Sequence, residues 1–573
     1  MDEKFNNTVP DKDLNSHTGG GDNNSGNGAA HAGPGDEAGS GTRDPGMIER
    51  VEARRRELEK ELAESENTGD PKITSRFVQD CLYANELGDG ILAAALFKDK
   101  FLFNKSSDEW LVWDGHHWER DIMDGARASV EKVAESYLNE ALNLVKKIGA
   151  ASAKKDRDAV SKYQDMQEKI YKRVGRLRSE RGRTNTLKFT HTNISNQIAI
   201  KGDELDTNPW LLGCQNGVVD LRTGELRSGR PEDLISKACA CEFTGIDTPA
   251  PTWEMFLKQI LVIIEHAEGA DRDPVIKEHP QMVQYVGRLF GYGITGMTIE
   301  HFLPILYGQG RNGKGVLVET ISAVLGSYMA PIQSEMLLDQ GRMKNSAGPS
   351  PDIMSLRGLR IAFASETDQG RRFSTSRVKW LTGGDTLKGR YPHDKYETEF
   401  DPMHTLFLMT NSKPDVADDD FAFWERVHLV PFELSFVERP CENFNERPAD
   451  KYLQEKLKAE APGILAWLVR GCLEWQRQGL NPPAVVIDAT REYRRDEDLL
   501  GHFLNECCYE EPGTESTAKE LYDRFREWWK INVSRKILSQ KKFGGMMKKK
   551  FKKSKSGTYR YFGVGLLSDW EGE

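Results

Sequence analysis

Three observations predict a multidomain α/β protein. The chain has 573 residues, which is about four times the length of a typical single domain. Residues 303–325 read as an apolar strand, a glycine-rich loop and an amphipathic helix, the pattern of a parallel α/β unit. Helical spacing with small β-hairpins precedes this unit, and a compact basic segment with a winged-helix-like pattern follows it.

The composition suits a protein with a sizeable core and no membrane segment. Hydrophobic residues make up 38% and charged residues 29%, and the mean hydropathy is −0.61. Because no apolar run approaches about 18 residues, and the amino terminus lacks a signal-peptide pattern, the sequence predicts a cytoplasmic protein. The eight cysteines form no CxxC pair, which disfavours a zinc ribbon and suits a reducing compartment. The net charge of −10 leaves nucleic-acid binding open, because local patches matter more than the total.

The first part of the chain is polar. Residues 1–46 are rich in Gly, Asn, Asp and Ser and are predicted to be a disordered tail, because they cannot bury enough apolar surface. Residues 47–70 are predicted to form a charged helix or linker. Their thin apolar stripe fits a solvated helix and leaves a short oligomerisation helix as an alternative.

Residues 71–250 are predicted to form a mostly helical amino-terminal domain with small β-hairpins. Residues 101–121 alternate apolar and polar side chains around an Asp-Gly turn, which predicts a hairpin that carries Trp110, Trp113 and Trp118. Residues 126–183 predict a long helical stretch, whose basic end fits phosphate contact and a solvated helix face equally well. Residues 218–228 predict a second hairpin. Residues 251–300 return to helical spacing and predict a helical collar.

The strongest motif lies at the start of the predicted core, residues 301–500. The sequence GQGRNGKG follows an apolar strand and opens a helix, so its backbone N–H groups and the helix dipole can hold phosphates. Lys314 would reach the β and γ phosphates of a nucleotide. The predicted nucleotide-binding residues are Gly308, Gln309, Gly310, Arg311, Asn312, Gly313, Lys314, Gly315 and Val316, with ATP and Mg²⁺ as cofactors.

One position departs from the usual phosphate loop. The Ser or Thr that normally follows the lysine and binds Mg²⁺ is replaced by Gly315. Carboxylates, phosphates and waters would then hold the ion, which Mg²⁺ accepts readily.

Three polar residues lie at the ends or edges of later apolar strands. Glu366 would polarise the attacking water and support the Mg²⁺ shell, in part through water. Asn411 would orient the same water or sense the γ-phosphate. Arg426 directly precedes another apolar strand. Singly, each fits an ordinary loop residue; their order behind a phosphate loop favours catalysis.

These motifs together resemble a known family. GQGRNGKG, ASETDQG, KWLTGGD and LMTNSKPD are similar to motifs A, B, B′ and C of superfamily 3 helicases. More narrowly, they resemble the phage and plasmid primase–helicase family, which is related to the poxvirus helicase–primase. LLGCQNGVVDLRTGELR and EWLVWDGHHWERD resemble the region before the motor in that family, and the resemblance covers residues 77–567.

The resemblance implies a role for each residue. Lys314 matches the phosphate-loop lysine, Glu366 the catalytic carboxylate and Asn411 the sensor. Arg426 matches the arginine that reaches the ATP of a neighbouring subunit, although the family often has two adjacent arginines where this chain has Glu425 and Arg426. The implied fold is a RecA-like AAA+ core that assembles into a hexameric ring around single-stranded DNA.

Two segments are predicted to contact DNA. Residues 389–397 interleave basic and aromatic side chains, which suits phosphate contact and base stacking, with a plain surface loop as the alternative. In the resembled family this hairpin projects into the pore, and Arg390, His393 and Lys395 are the candidates. Residues 530–560 contain twelve Lys or Arg and no Asp or Glu. They belong to a predicted basic domain, residues 501–573, arranged as helix, helix and wing. The second helix is predicted over residues 538–554 with Ser539 as its N-cap, and the hairpin wing over residues 557–567. The DNA-contacting candidates are Lys541, Lys542, Lys548 and Lys549.

Three functions compete for this sequence. The favoured one is an ATP-dependent DNA helicase in the replication of a phage, prophage or plasmid, acting on single-stranded or forked DNA in the host bacterial cytoplasm. A replication initiator that binds an origin and unwinds little is the alternative. Primer synthesis by this chain is disfavoured, since the region before Phe77 is largely polar and no CxxC exists; a separate primase or polymerase is then an expected partner.

Overall fold

The computed structural model describes residues 73–192, 198–265, 274–340, 348–365, 371–392, 397–416, 420–440, 445–533 and 537–568. All of these residues lie in one compact unit, Pro71–Glu573. The predicted tail and charged helix, residues 1–70, lie outside the described residues. Among the described helices, none combines the length and apolar character needed to cross a bilayer.

The amino-terminal part combines helices with a small mixed sheet. The helices are α1 (Ser75–Tyr83), α2 (Asn85–Phe97), α3 (Gly125–Ala128), α4 (Val130–Ala153), α5 (Arg157–Leu177) and α6 (Glu180–His191). The sheet has the order β3-β2-β1-β4 and contains β1 (Phe101–Asn104), β2 (Glu109–Trp113), β3 (Trp118–Arg120) and β4 (Ala199–Ile200). The predicted aromatic hairpin is confirmed as β2 and β3, in which Trp113 pairs with Trp118.

The helical stretch predicted for residues 126–183 is confirmed, and it is divided into several helices. The chain turns at Lys155, whose φ is +57°, and the Asp156 side chain accepts a hydrogen bond from the backbone N–H of Ala159 at 3.0 Å. Asp156 therefore caps a new helix, because a carboxylate satisfies an N–H group that has no partner inside the helix. Ser179 caps α6 in the same way, by accepting from the backbone N–H of Gly182 at 3.1 Å.

A second small sheet and a connecting region lead to the motor. The sheet has the order β5-β6-β7, with β5 (Leu211–Cys214), β6 (Gly217–Asp220) and β7 (Glu225–Arg227), and it confirms the second predicted hairpin. The predicted helical collar is interrupted by a β-hairpin, since the order is α7 (Pro251–Ile260), β8 (Val262–Glu265), β9 (Val275–Glu278) and α8 (Pro280–Gly293). A short apolar run such as 261–264 fits helix and strand equally well by periodicity.

The central element is a five-stranded, fully parallel sheet. Its strands run in the order β11-β12-β15-β10-β16. The elements of this part are β10 (Leu303–Tyr307), α9 (Lys314–Leu325), β11 (Met329–Ile332), α10 (Pro351–Met354), β12 (Ile361–Ser365), α11 (Thr375–Thr382), β13 (Leu387–Gly389), β14 (Thr398–Phe400), β15 (Thr405–Thr410), α12 (Phe421–Trp424) and β16 (Val427–Pro431). Since both faces of a parallel sheet are covered, its strands read as near-continuous apolar runs.

The remaining elements surround the sheet and form the carboxyl-terminal unit. They are β17 (Ser435–Val437), β18 (Glu446–Pro448), α13 (Leu453–Ala459), α14 (Ala461–Gln478), α15 (Ala484–Glu497), α16 (Leu499–Cys507), β19 (Cys508–Tyr509), β20 (Glu515–Thr517), α17 (Ala518–Asn532), α18 (Gln540–Lys550), β21 (Lys552–Ser556), β22 (Thr558–Phe562) and β23 (Gly565–Leu566). Within the described ranges, short 3₁₀ turns lie at Pro231–Asp233, Gly326–Tyr328 and Ser334–Met336.

The carboxyl-terminal unit differs from its prediction in one respect. Ser539 caps α18 as expected, accepting from the backbone N–H of Lys542 at 3.4 Å. The helix then ends at Lys550, however, and Lys552–Ser556 pairs with Thr558–Phe562 as a hairpin around Gly557, whose φ is +73°. The predicted second helix is therefore too long, and the predicted hairpin begins too late. The buried Phe551 and the glycine turn decide the boundary, which a run of lysines hides.

The amino-terminal part is hydrogen-bonded to the amino ends of two central strands. Arg360, which precedes β12, is 1% exposed and donates from Nη2 to the carbonyl of Asn208 at 2.9 Å. Tyr328, which precedes β11, accepts from the backbone N–H of Gly213 at 2.9 Å through its hydroxyl. The carboxyl ends of the strands remain available for the phosphate loop, which follows β10.

Candidate nucleotide site and nucleic-acid interface

The phosphate loop needs glycine at two places. A Cβ on Gly308 would lie 2.2 Å from the carbonyl oxygen of Phe432, so a side chain does not fit. Gly313 has a φ of +86° and begins α9, a backbone conformation that glycine adopts without strain. The loop is also held from outside, since the backbone N–H of Phe436 donates to the carbonyl of Arg311 at 2.6 Å.

Lys314 lies at the centre of the site. Its side chain is 5% exposed, and its ammonium donates to the carbonyl of Gly308 and, at 3.1 Å, to Oδ1 of Asn411. Burial lowers the pKa of Lys314 to about 8. The fold therefore brings the loop lysine and the polar residue after β15 into direct contact.

The other residues of the phosphate loop lie around Lys314 and differ in burial. Asn312 is 4% exposed, and its Nδ2 makes no hydrogen bond within the described part of the chain. A buried donor without a partner, beside a buried lysine, suits an anionic ligand such as a nucleotide phosphate. Four residues of the loop are exposed, namely Gln309, Gly310, Arg311 and Gly315, and Val316 is half-buried.

Gly315 supplies no hydroxyl for a metal ion. A Cβ at this position would meet only Oε1 of Glu319, at 3.9 Å, so space for a side chain exists. Glu319 itself accepts from Nε2 of Gln454 at 2.8 Å.

Glu366 lies outside the described residues, directly after β12. The last residue of that strand, Ser365, pairs with Met409 of β15, and Asn411 follows two positions later. Because the carboxyl ends of parallel strands lie at one end of a sheet, Ser365 lies at the same end as Lys314 and Asn411.

Arg426 lies at the amino ends of the strands, at the opposite end of the sheet from the phosphate loop. It precedes β16, whose Val427 pairs with Leu303 and whose Pro431 pairs with Tyr307. Five strand residues at about 3.3 Å each separate the level of Arg426 from that of the phosphate loop, roughly 16 Å. Within the chain, its guanidinium donates to the carbonyl of Ala422 at 2.6 Å. Arg426 is therefore not brought together with Lys314 of the same chain.

The predicted pore loop is a β-hairpin. β13 and β14 pair antiparallel, with Leu387 opposite Phe400. Arg390 is half-buried after β13, and its backbone N–H donates to Oγ of Ser350 at 3.2 Å. His393 and Lys395 lie outside the described residues.

The basic helix α18 presents its lysines to solvent. Phe543 and Met547 are buried on one side, and the four candidates on this helix are exposed: Lys541, Lys542, Lys548 and Lys549. The neighbouring hairpin adds cations beside aromatic rings, because Nζ of Lys553 lies 4.3 Å from the ring centre of Tyr559. Tyr559 is 51% exposed. The unit thus combines exposed positive charge with an exposed ring.

Two basic residues near the site were not singled out from the sequence. Lys413 lies two residues after Asn411, with Nζ 5.4 Å from the ring centre of Tyr307 and 3.2 Å from Oδ2 of Asp496. Arg371 is held at the same edge, since its carbonyl accepts from the backbone N–H of Asp415 at 2.9 Å. Lys413 stands inside a quoted motif and could have been found; nothing in the sequence marks Arg371.

A family model and several viral proteins match this chain. The model described as D5 N terminal like matches residues 91–262. A protein named as a helicase from Acanthamoeba polyphaga mimivirus is 25% identical over 464 residues, covering 78% of this chain and 46% of that protein. A protein named as a helicase from Frog virus 3 is 26% identical over 389 residues, covering 58% of this chain and 40% of that protein. A protein named as a primase from African swine fever virus is 24% identical over 398 residues, covering 64% of this chain and 38% of that protein.

The chain spans less than half of the length of these relatives. Among solved structures, the apo form of the NrS-1 C terminal region is 12% identical and covers 83% of this chain and 99% of that one, with a TM-score of 0.40. That score is too low to assign a fold. The family match and the viral relatives agree with the motifs, so the resemblance to the primase–helicase family is confirmed, and the chain carries its D5 N-terminal-like region at residues 91–262.

Proposed function

We propose that this protein is an ATP-dependent DNA helicase of superfamily 3 that acts in DNA replication as a ring-shaped hexamer. The observation that carries the proposal is the arrangement of side chains at the carboxyl ends of the parallel strands. There a buried lysine joins the phosphate loop to Asn411, one strand from the strand that leads to Glu366. The viral relatives named as helicases support the same activity.

Each residue at this edge has a defined task. The loop N–H groups and Lys314 bind the β and γ phosphates of ATP, and bound Mg²⁺ neutralises developing charge on them. Glu366 accepts a proton from the attacking water and supports the ion, which Gly315 cannot do. Asn411 orients the water, and its present contact with Lys314 keeps both side chains at the phosphate position.

Arg426 completes the site from a neighbouring subunit. At roughly 16 Å from the loop level it does not reach the nucleotide of its own chain. Two neighbouring subunits in a ring can place the amino ends of the strands of one sheet near the carboxyl ends of the strands of the next sheet. Hydrolysis then depends on assembly, which couples ATP turnover to the ring around DNA.

The DNA contacts would lie on two separate parts of the chain. The β13–β14 hairpin, with Arg390, His393 and Lys395, contacts the single strand in the pore. The carboxyl-terminal unit acts as a winged-helix-like module, with the exposed lysines of α18 on the phosphates of forked DNA.

A steady-state ATPase assay with and without single-stranded DNA, paired with fork unwinding, tests the proposal. The wild-type protein is expected to hydrolyse ATP faster with DNA and to unwind the fork. Glu366→Gln is expected to bind ATP with near wild-type affinity and to lose turnover, because the amide cannot accept the proton. A wild-type protein that neither hydrolyses ATP nor unwinds DNA contradicts the proposal.

A replication initiator is the second candidate, favoured by the exposed lysines of the carboxyl-terminal unit. An initiator would bind one duplex sequence tightly and hydrolyse ATP with little unwinding. In this proposal a separate chain carries out primer synthesis. The same unwinding assay distinguishes the helicase from the initiator.

A further inference from the structure

Arginines line one face of α15. Arg491, Arg494 and Arg495 follow the spacing i, i+3 and i+4, which places them on one side of a helix. With Asp488 and Asp498 they line an open groove of about 570 Å³. The side chain of Arg491 is 72% exposed, so the groove offers positive charge to a ligand from solvent.

The acidic residues of the groove are already engaged. Oδ1 of Asp488 lies 3.2 Å from Nη1 of Arg491. Oδ2 of Asp498 lies 3.1 Å from Nζ of Lys550, and its Oδ1 accepts from the backbone N–H of Gly501 at 2.8 Å. Since Asp498 is balanced by a lysine from outside the lining, the groove keeps a positive balance and suits an anion.

The groove continues toward the basic carboxyl-terminal unit. An adjoining cavity of about 60 Å³ shares Arg494 and Asp498 and adds two cations, Arg372 and Lys542, and one carboxylate, Glu497. Glu497 accepts a hydrogen bond from the backbone N–H of Val416 at 2.7 Å. Lys542 belongs to α18, which carries the exposed lysines. Arg372 lies six residues after Glu366 along the chain. A positive surface therefore runs from the basic helix to the motor.

An exposed ring lies beside the arginines. Phe421 is 63% exposed, and its ring centre lies 6.0 Å from Cζ of Arg494. Positive charge that follows a groove, together with an exposed aromatic ring, is the pattern of single-stranded nucleic-acid binding, because phosphates pair with the cations and a base stacks on the ring.

We propose that this arginine groove binds a single nucleic-acid strand, with phosphates on Arg491, Arg494 and Arg495 and one base on Phe421. The proposal rests on the proposed function, since the nucleic-acid partner comes from it. The strand would pass along the outer face of the motor before it meets the basic carboxyl-terminal unit.

The test is anisotropy of a fluorescein-labelled oligothymidylate with the full-length protein at several salt concentrations. Arg491→Ala/Arg495→Ala is expected to flatten the slope of log K against log salt by about 1.4, since each phosphate contact on a single strand contributes about 0.7. Arg491→Lys/Arg495→Lys keeps the charges and should keep most of the slope. Phe421→Ala should weaken binding about tenfold with the slope unchanged, because stacking is not ionic.

Arg76→Ala/Arg477→Ala is the matched control, since it removes two exposed arginines away from the groove and should leave affinity and slope unchanged. Unchanged affinity and slope in the groove variants, with melting temperatures equal to wild type, overturn the proposal. A changed subunit number with unchanged DNA binding also overturns it and makes this face an interface between copies. A wild-type protein that binds no oligothymidylate refutes the proposed function itself, and the groove with it.

Discussion

The two ends of the parallel sheet differ in what they offer. The carboxyl end holds Lys314 and Asn411 in contact at 3.1 Å, beside the position where Glu366 follows β12. The amino end holds Arg426, and there the buried Arg360 joins β12 to the amino-terminal part. The difference teaches that the two ends serve different purposes: in our proposal one end supplies the phosphate-binding half of an ATP site, and the other end serves structure and a neighbouring subunit.

Lys314→Ala gives the largest expected effect at the carboxyl end. The loop loses the buried cation directed at the β and γ phosphates, so ATP binding should fall below detection in a titration with a fluorescent ATP analogue. Lys456→Ala, an exposed lysine paired with Asp450 at 2.6 Å, is the control and should bind normally. Retained affinity in Lys314→Ala would remove this end of the sheet from nucleotide binding.

Arg426→Ala tests the amino end. The variant should fold, bind ATP and assemble, yet lose about 10³- to 10⁵-fold in turnover, because such an arginine stabilises charge in the transition state. Mixing it with Lys314→Ala should restore part of the ATPase activity, since one interface of a mixed ring then has both intact side chains. With subunit exchange verified, absence of recovery at every mixing ratio argues against an arginine acting between subunits.

Arg360→Leu should affect stability rather than chemistry at the amino end. The guanidinium donates to the carbonyls of Pro209 and Asn208, and its removal leaves these buried acceptors unpaired, at a cost of about 1–3 kcal/mol for each. The midpoint of urea unfolding should fall. ATP affinity measured below that midpoint should stay close to wild type. A stable variant with lost ATP binding would show that the two ends are not independent.

The smallest expected effect is a pH dependence of ATP binding. Without nucleotide the pKa of Lys314 is lowered to about 8 by burial, and bound phosphates raise it. The charged lysine therefore contributes fully to binding below pH 8, and this contribution is lost as the pH rises through the pKa of the complex. Affinity should fall by up to about tenfold per pH unit above 8. A flat titration between pH 7 and pH 9.5 contradicts this assignment.

The sequence predicted the local structure of the candidate nucleotide site well. The strand at residues 303–307, the loop and the helix that begins at Lys314 are local, because each follows from glycines and apolar spacing within one segment. The contact between Lys314 and Asn411 was not predicted, because it depends on the pairing of β10 with β15. Which residue lies at which end of the sheet depends on pairing between β10 and β16, so the separation of Arg426 from the loop was not predictable.

Other features escaped the sequence for a physical reason. Arg491, Arg494 and Arg495 look like the solvated face of an ordinary helix, and only tertiary packing places Arg494 beside Phe421 and in one cavity with Lys542. The lysines after Phe551 read as a continued helix, since Lys favours helices and gives no strand signal. The hairpin of β8 and β9 was missed because short apolar runs fit both periodicities.

The buried guanidinium of Arg360 has a consequence for how such chains recombine. A crossover between relatives placed anywhere from residue 215 to residue 355 would separate this cation from the carbonyls that accept its hydrogen bonds. The hybrid would then carry the guanidinium of Arg360 from one parent and the loop at residues 208–211, which accepts its hydrogen bonds, from the other. We expect fusions that retain both parts from one parent to fold, and junctions before residue 198 to be the ones that protein engineers recover.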